Sequence, residues 1–146
     1  MANIRLYTPA DRPACITIFR SNQPKYFAPE ELPLFISWLG KPELENYCVL
    51  EAEGEVIGCG GFYALPDLRQ AILAWGMIHS AHHGRGYGRQ LTDHRIALMR
   101  ERYPDYALLL STSQHTFGFY EKQGYAVKEI ILNGFGDGLD KYIMEG

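Results

Sequence analysis

The sequence predicts an α/β (α+β) fold: one mixed, mostly antiparallel sheet with helices on its faces and a central parallel βαβ crossover. Three observations carry this prediction. Strand-like and helix-like segments follow one another in the order β-α-α-β-β-β-α-β-α-β-β. Residues 47–79 read as a three-strand meander joined by tight turns, which makes antiparallel neighbours. An apolar strand, a helix and a second apolar strand then fill Ala71 to Thr112, and such a unit closes as a right-handed parallel crossover. With 146 residues and no repeat, low-complexity run or linker, the chain is expected to form a single domain over residues 1–146.

Each element has a local cause. Ile4 to Thr8 is a short strand candidate. Asp11 stands where a helix N-cap belongs, with Pro13 in the first turn and Ile16, Ile18 and Phe19 behind it. Pro24 and Pro29 break that helix. Glu30 to Leu39 carries apolar residues at helical spacing, and Gly40-Lys41-Pro42 ends it. Tyr47 to Glu53 and Val56 to Leu65 form a hairpin about Glu53-Gly54-Glu55, and Pro66-Asp67 starts the next turn. Ala71 to His79 is a third strand, interrupted at Gly76 as a bulge would be. A helix runs from about Gly86 to Arg102 and ends at Pro104-Asp105. Tyr106 to Thr112 holds Ala107-Leu108-Leu109-Leu110, a buried-strand run. His115 to Lys122 reads as a short helix stopped by Gly124. Tyr125 to Leu132 and Leu139 to Met144 are the last strands, with a glycine-rich loop from Asn133 to Gly138 between them.

Bulk properties exclude several function classes. The composition is 47% hydrophobic and 21% charged, close to the soluble average. No apolar run approaches the ~20 residues of a membrane span, and the N-terminus has no signal-peptide core, so no membrane partner is expected. The net charge of −3 without a basic block argues against nucleic acid. Cys15, Cys48 and Cys59 are widely spaced and odd in number, as expected of reduced core thiols in a cytoplasmic protein.

The segment His82-His83-Gly84-Arg85-Gly86-Tyr87-Gly88-Arg89-Gln90-Leu91 carries the chemistry. Three glycines alternate with larger residues just before a helix. Glycine lets the backbone take unusual φ/ψ values and approach a ligand closely. The helix N-terminus adds unpaired N–H groups and a favourable dipole, so the segment is suited to phosphate. Two common phosphate loops fail on spacing. A Walker A loop needs Lys-Ser/Thr after its last glycine, where this chain has Arg89-Gln90. A Gly-x-Gly-x-x-Gly fingerprint started at Gly84 ends on Arg89.

What remains resembles the pyrophosphate loop of the GNAT superfamily of acyl-CoA-dependent N-acyltransferases. The family pattern Arg/Gln-x-x-Gly-x-Gly/Ala falls on His83-Gly84-Arg85-Gly86-Tyr87-Gly88, with histidine replacing Arg or Gln. Phe119-Tyr120-Glu121-Lys122-Gln123-Gly124-Tyr125 is similar to a second family segment, after an apolar strand and a short helix. The resemblance implies acetyl-CoA as co-substrate. Its pantetheine arm would meet Gly76, Met77 and Ile78. Its pyrophosphate would meet the loop from His83, Gly84, Arg85 and Gly86 to Tyr87, Gly88 and Arg89, and Ser113 would touch the cofactor further on. It also implies direct attack of an amine on the thioester. Tyr120 would be the acid that protonates the leaving sulfur, since a phenol keeps its proton at neutral pH.

The general base is less determined. Ala71 to Ile78 and Tyr106 to Leu110 contain no acid or histidine, which leaves His79 or an ordered water. No metal is expected, because the five histidines have no cysteine near them and no closed ligand set. Tyr26, Phe27, Trp75 and Phe135 are the expected walls of the acceptor pocket, where aromatic faces suit a cationic amine. Asp137 or Asp140 would supply a counter-charge. The expected activity is N-acetylation of the primary amine of a small molecule. The alternatives are a peptide or protein N-acetyltransferase and a non-catalytic CoA-binding sensor. A homodimer is held as a further expectation.

Overall fold

The computed structural model describes residues 2–41, 44 and 46–146. Its elements follow the predicted order. β1 (Ala2–Leu6) leads through a single helical turn at Pro9–Asp11 into α1 (Arg12–Ser21), and a turn at Pro29–Glu31 leads into α2 (Leu32–Leu39). β2 (Tyr47–Ala52), β3 (Glu55–Leu65) and β4 (Gln70–Ile78) form the meander. After a turn at Ser80–His82, α3 (Tyr87–Arg102) crosses to β5 (Ala107–Thr112). α4 (Phe117–Glu121), β6 (Ala126–Gly136) and β7 (Leu139–Glu145) complete the chain. The seven strands form one sheet in the order β1-β2-β3-β4-β5-β7-β6. Among the described residues β4–β5 is the parallel pair and the other neighbours are antiparallel.

The strands alternate their side chains between two cores, as period-two geometry requires. On one face α1 and α2 bury Cys15, Ile18, Phe19, Phe35 and Leu39 against Tyr47, Val49, Cys59 and Met77. On the other, α3 lays Ile96 and Met99 over Phe62, Ala71, Leu73, Leu108 and Leu110, and Leu91 over Leu50, Ile57 and Ile78. β2 is covered on both faces, which explains its nearly continuous burial.

Two irregularities in β4 create the site. Its parallel pairing with β5 covers Gln70–Ala107, Ala71–Leu108 and Ile72–Leu109. β5 then continues along β7 from Leu109 to Thr112, so a wedge opens between β4 and β5. The β3–β4 register also jumps between Cys59 and Gly61, where Gly61 faces Ala74 and Cys59 faces Met77. Gly60 thus opposes both Trp75 and Gly76, as in a β-bulge. The expected interruption is present, but the left-handed residue is Trp75, at φ 49°.

Other expectations need correction. Asp11 does stand at the N-cap position of α1, but its side chain makes no capping bond there. The Asp11 carboxylate instead accepts two hydrogen bonds from Arg5, both at 2.8 Å, and one from the Thr8 N–H at 2.9 Å. Asn133 to Gly138 is not an open loop, because β6 runs on to Gly136 and only Asp137-Gly138 turns the chain. Asn133 takes a φ of 56°, its Oδ1 accepts the Gly138 N–H at 2.7 Å, and its own N–H donates to Asp140 Oδ1 at 2.9 Å. These local bonds hold the glycines inside an irregular hairpin. The predicted helix from His115 to Lys122 is shortened to α4, because the Ser113 carbonyl accepts the N–H groups of Thr116 and Phe117 and forms a turn first. α2 ends at Gly40, whose N–H bonds the Ile36 and Ser37 carbonyls; Pro42, expected to help end it, lies outside the described residues. Among the described residues no helix is long and apolar enough to cross a membrane.

Candidate active site

The wedge between β4 and β5 opens into a cavity of about 780 Å³. Leu73 to Ile78 line one side and Leu110 to Ser113 the other. The lining takes Gly84, Gly86, Gly88 and Arg89 from the loop and the start of α3, Phe27, Glu31, Phe135 and Lys141 from the start of α2 and the last hairpin, and Tyr26, which packs against His83.

The loop end is backbone chemistry. Gly84 and Gly86 sit at φ 78° and φ 84°, a region costly for residues with a Cβ. Gly86 is the N-cap of α3, and the first bond back to it comes from the Gln90 N–H at 3.1 Å. The N–H groups of Tyr87, Gly88 and Arg89 precede that bond and have no intrahelical acceptor. Such unpaired N–H groups are suited to an anion, and α3, with 16 residues, is long enough to add its dipole. The flanking side chains divide. Arg89 lines the cavity at its exposed end, 3.8 Å from Asp93. Arg85 is exposed beside His82, and Tyr87 packs against the Leu50–Ile57–Leu91 core rather than into the cavity.

His83 stands where the family carries Arg or Gln, and the structure gives its ring a clear task. Its Nε2 donates to the Ile78 carbonyl at 2.8 Å. The buried Asn22 at the end of α1 donates to the same carbonyl at 2.9 Å. Together they tie the loop and α1 to the last residue of β4. No sequence signal marked Asn22.

The bulge is held from both faces. Tyr47 OH donates to the Trp75 carbonyl at 2.7 Å. From α3, Arg95 donates through Nε and Nη2 to the Gly61 carbonyl at 3.1 and 2.9 Å, and through Nη2 to Ala74 at 3.2 Å. Arg95 is only 2% exposed. A Cβ at Gly76 would lie 2.2 Å from its Nη1, so glycine is required there to admit the guanidinium. The sequence signal for this role is the position of Arg95 one turn beyond Leu91, on the buried face of α3.

Tyr120 lines the cavity on α4, edge-on to Phe119 with centroids 5.1 Å apart. The buried Ser113 also lines it, and its Oγ accepts the His115 N–H at 3.2 Å, which caps the turn into α4. His79 is not brought in. Its Nδ1 accepts the Ala81 N–H at 3.1 Å, capping the turn after β4, and its ring is outside the cavity lining.

Tyr26, Phe27, Trp75 and Phe135 do converge, all on the cavity wall. Phe27 stacks on Phe19 at 4.8 Å and lies 6.1 Å from Trp75, which in turn packs on Phe35 at 5.2 Å. Tyr26 sits edge-on to His83 at 5.4 Å and to His115 at 6.1 Å. Neither expected acid reaches the cavity: Asp140 is taken up by Asn133, and Asp137 lies in the hairpin turn. The acid that lines it is Glu31, which the sequence reading passed over as part of a helix start. Burial pushes its carboxyl up to about 7, against the Ala28 N–H bond that favours its charged form. Among the described residues no group of three or more His, Cys, Asp or Glu is placed to hold a metal.

A parallel pair splayed around a cavity, with a glycine-rich loop and unpaired helix N–H groups at its lining, has the form of a site for a long anionic ligand. Comparison with known proteins agrees. The acetyltransferase (GNAT) family profile matches residues 12–125. The chain belongs to the GNAT acetyltransferase family. Among solved structures, it is similar to the ribosomal-protein-alanine N-acetyltransferase of Brucella melitensis, with 23% identity, TM-score 0.79, and 99% of this chain and 98% of that one covered. It is also similar to yncA of Salmonella typhimurium, solved with its cofactor acetyl-CoA, with 20% identity, TM-score 0.77, and 100% and 93% covered. Among curated proteins it is 28% identical over 97 residues to the amino-acid acetyltransferase of Vibrio atlanticus. That match takes in 64% of this chain and 21% of the relative, so the chain spans about a fifth of the curated protein it matches.

Proposed function

We infer that the protein transfers an acetyl group from acetyl-CoA to the primary amine of a small molecule, by direct attack, with Tyr120 as general acid. The observation that carries this reading is the continuity of one cavity from the α3 N-terminus, past the free edge of β4, to Tyr120 and the aromatic wall. The pieces present fit acetyl-CoA. Loop N–H groups match a pyrophosphate. After Ile72, β4 has no strand partner on its β5 side, and its backbone groups other than the Ala74, Trp75 and Ile78 carbonyls, which other side chains occupy, are left for pantetheine amides. The similar structure from Salmonella typhimurium was solved with acetyl-CoA as its cofactor, which supports the choice of this ligand.

The catalytic contributions follow from position. The wedge holds thioester and amine in one cavity, which lowers the entropic part of the barrier. Tyr120 supplies a proton to the sulfur as the C–S bond breaks. The measurement is thiol release from acetyl-CoA across a panel of amines. Tyr120→Phe is expected to lower kcat by about 10²-fold or more while acetyl-CoA affinity holds. Full activity in that variant would remove Tyr120 as the acid. Acetyl-CoA binding without release for any amine would favour the sensor. The name of the Brucella relative favours a second reading, transfer to a protein N-terminus, and an alanine-terminated peptide in the same panel tests it.

A further inference from the structure

The acceptor end of the cavity holds two opposite charges that do not close on each other. Glu31 is 7% exposed and lines the cavity along with Phe27 and Phe135. Its Oε2 accepts the Ala28 N–H at 2.9 Å, and among the described residues no other hydrogen bond and no cation satisfies the carboxylate. Lys141, on β7, lines the same cavity with its Nζ 6.0 Å from the Phe135 ring centroid. Its stem is fixed from behind: a Cβ at Gly134 would come within 2.5 Å of Lys141 Cβ, so the neighbouring strand carries glycine to make room. Lys141 is near enough to act on Glu31 electrostatically, yet the two lie beyond the 4.0 Å of an ion pair.

A buried carboxylate is costly unless something answers its charge. Here the natural answer is a ligand. We propose that the acceptor is a zwitterionic amino acid, whose ammonium is received and deprotonated by Glu31 and whose carboxylate is met by Lys141. This rests on the acetyl-transfer reading. Phe27, Trp75 and Phe135 line the same cavity, and aromatic rings suit both an ammonium and an apolar side chain.

The proton balance is complete. The ammonium gives one proton to the Glu31 carboxylate. The freed lone pair forms the C–N bond at the thioester carbonyl, the C–S bond breaks, and the leaving thiolate takes the Tyr120 proton. The second nitrogen proton restores the phenol, and Glu31 returns its proton to water. The net products are the N-acetyl amino acid, CoA thiol and one proton. A carboxyl raised to about 7 is poised for this exchange. The charges acting on it are Glu30 beside it in the chain and Lys141 from β7. The Phe27, Trp75 and Phe135 wall brings none, and the titratable Tyr26, His83 and His115 line the same cavity.

The test is thiol release from acetyl-CoA with L-methionine and L-phenylalanine, their carboxamides, spermidine and an alanine-terminated peptide. The amino acids are expected to exceed their amides in kcat/KM by about tenfold or more, and Lys141→Met to erase that ratio through KM. Glu31→Gln keeps an acceptor for the Ala28 N–H. It is expected to lower kcat/KM about 100-fold and to remove the acid limb near pH 7, with acetyl-CoA affinity unchanged. An amide, spermidine or the peptide matching the amino acids overturns the acceptor assignment. An unchanged pH profile in Glu31→Gln overturns the base. Absence of release with every amine, with acetyl-CoA still bound, overturns the transfer reading itself.

Discussion

The two ends of the cavity are built by different means. The loop end uses backbone: Gly84 and Gly86 in left-handed conformations, free N–H groups opening α3, and the unpaired edge of β4, all within residues 73–89. The acceptor wall uses side chains from three distant stretches: Phe27 and Glu31 before α2, Trp75 in the β4 bulge, and Phe135 and Lys141 in the last hairpin, while Tyr26 reaches back to His83 of the loop. Backbone recognition of a constant phosphate arm constrains residue type at fixed spacing. Side-chain recognition of an acceptor constrains only what converges in space, so one end can stay constant while the other varies.

The bulge joins the two ends, so breaking it gives the largest expected effect. Arg95→Met leaves the Gly61 and Ala74 carbonyls buried without their donor. The expected loss is about 4 kcal/mol of folding stability in urea titration, from two unsatisfied carbonyls and lost packing. Acetyl-CoA affinity should fall as well, because Arg95 both lines the cavity and holds the bulge. A variant of wild-type stability and affinity would mean that the bulge stands without its guanidinium and that the ends are independent.

The acceptor end carries a stability cost that the loop end lacks. Burial raises the Glu31 carboxyl from 4.5 in the unfolded chain to about 7 in the native protein. The native state therefore holds its proton more tightly, and stability falls as pH rises from about 4.5 to about 7, then levels. Glu31→Gln removes that dependence. It is expected to stabilise the protein by about 2 kcal/mol at pH 8, discounted from full linkage because the cavity admits water, and to change little at pH 4. Thermal unfolding at both pH values checks the sign. Equal gains at both would assign the effect to packing rather than charge.

The same contrast sets what could be read from the sequence. The strand order, the crossover and the loop were legible because each is a contiguous pattern with a backbone cause. The Asn133–Gly138 segment misled because its glycines serve a bulge and a turn inside the hairpin, and the Asn133 side-chain bonds that decide this are tertiary detail. Asp11 looked like a cap, but Arg5, across the turn, claims its carboxylate. The aromatic wall was legible as a list of residues without its geometry. Glu31 was hidden by its place at a helix start, where an acid has an ordinary role. Only the fold shows that the turn before α2 brings Glu31 to the cavity wall. His83 was legible as a departure from the family pattern, and its bond to Ile78 gives the departure a structural role.

The smallest expected effect on stability separates the ends most cleanly. Gly88 lies in the first turn of α3 with ordinary helical backbone, unlike Gly84 and Gly86. A Cβ there would meet Ile78 Cγ1 and Phe119 Cζ at 3.8 Å, contact without a clash. Gly88→Ala therefore gains helix propensity and is expected to stabilise the fold by about 0.5–1 kcal/mol. Yet Gly88, Ile78 and Phe119 all line the cavity, so the new methyl occupies space beside the cofactor N–H groups. Acetyl-CoA affinity should fall about tenfold, read by calorimetry, while the acceptor preference ratio stays fixed. Stability and cofactor binding then move in opposite directions in one variant. If both rise, the space at Gly88 is not needed by the cofactor, and the phosphate cradle is confined to Gly84 and Gly86.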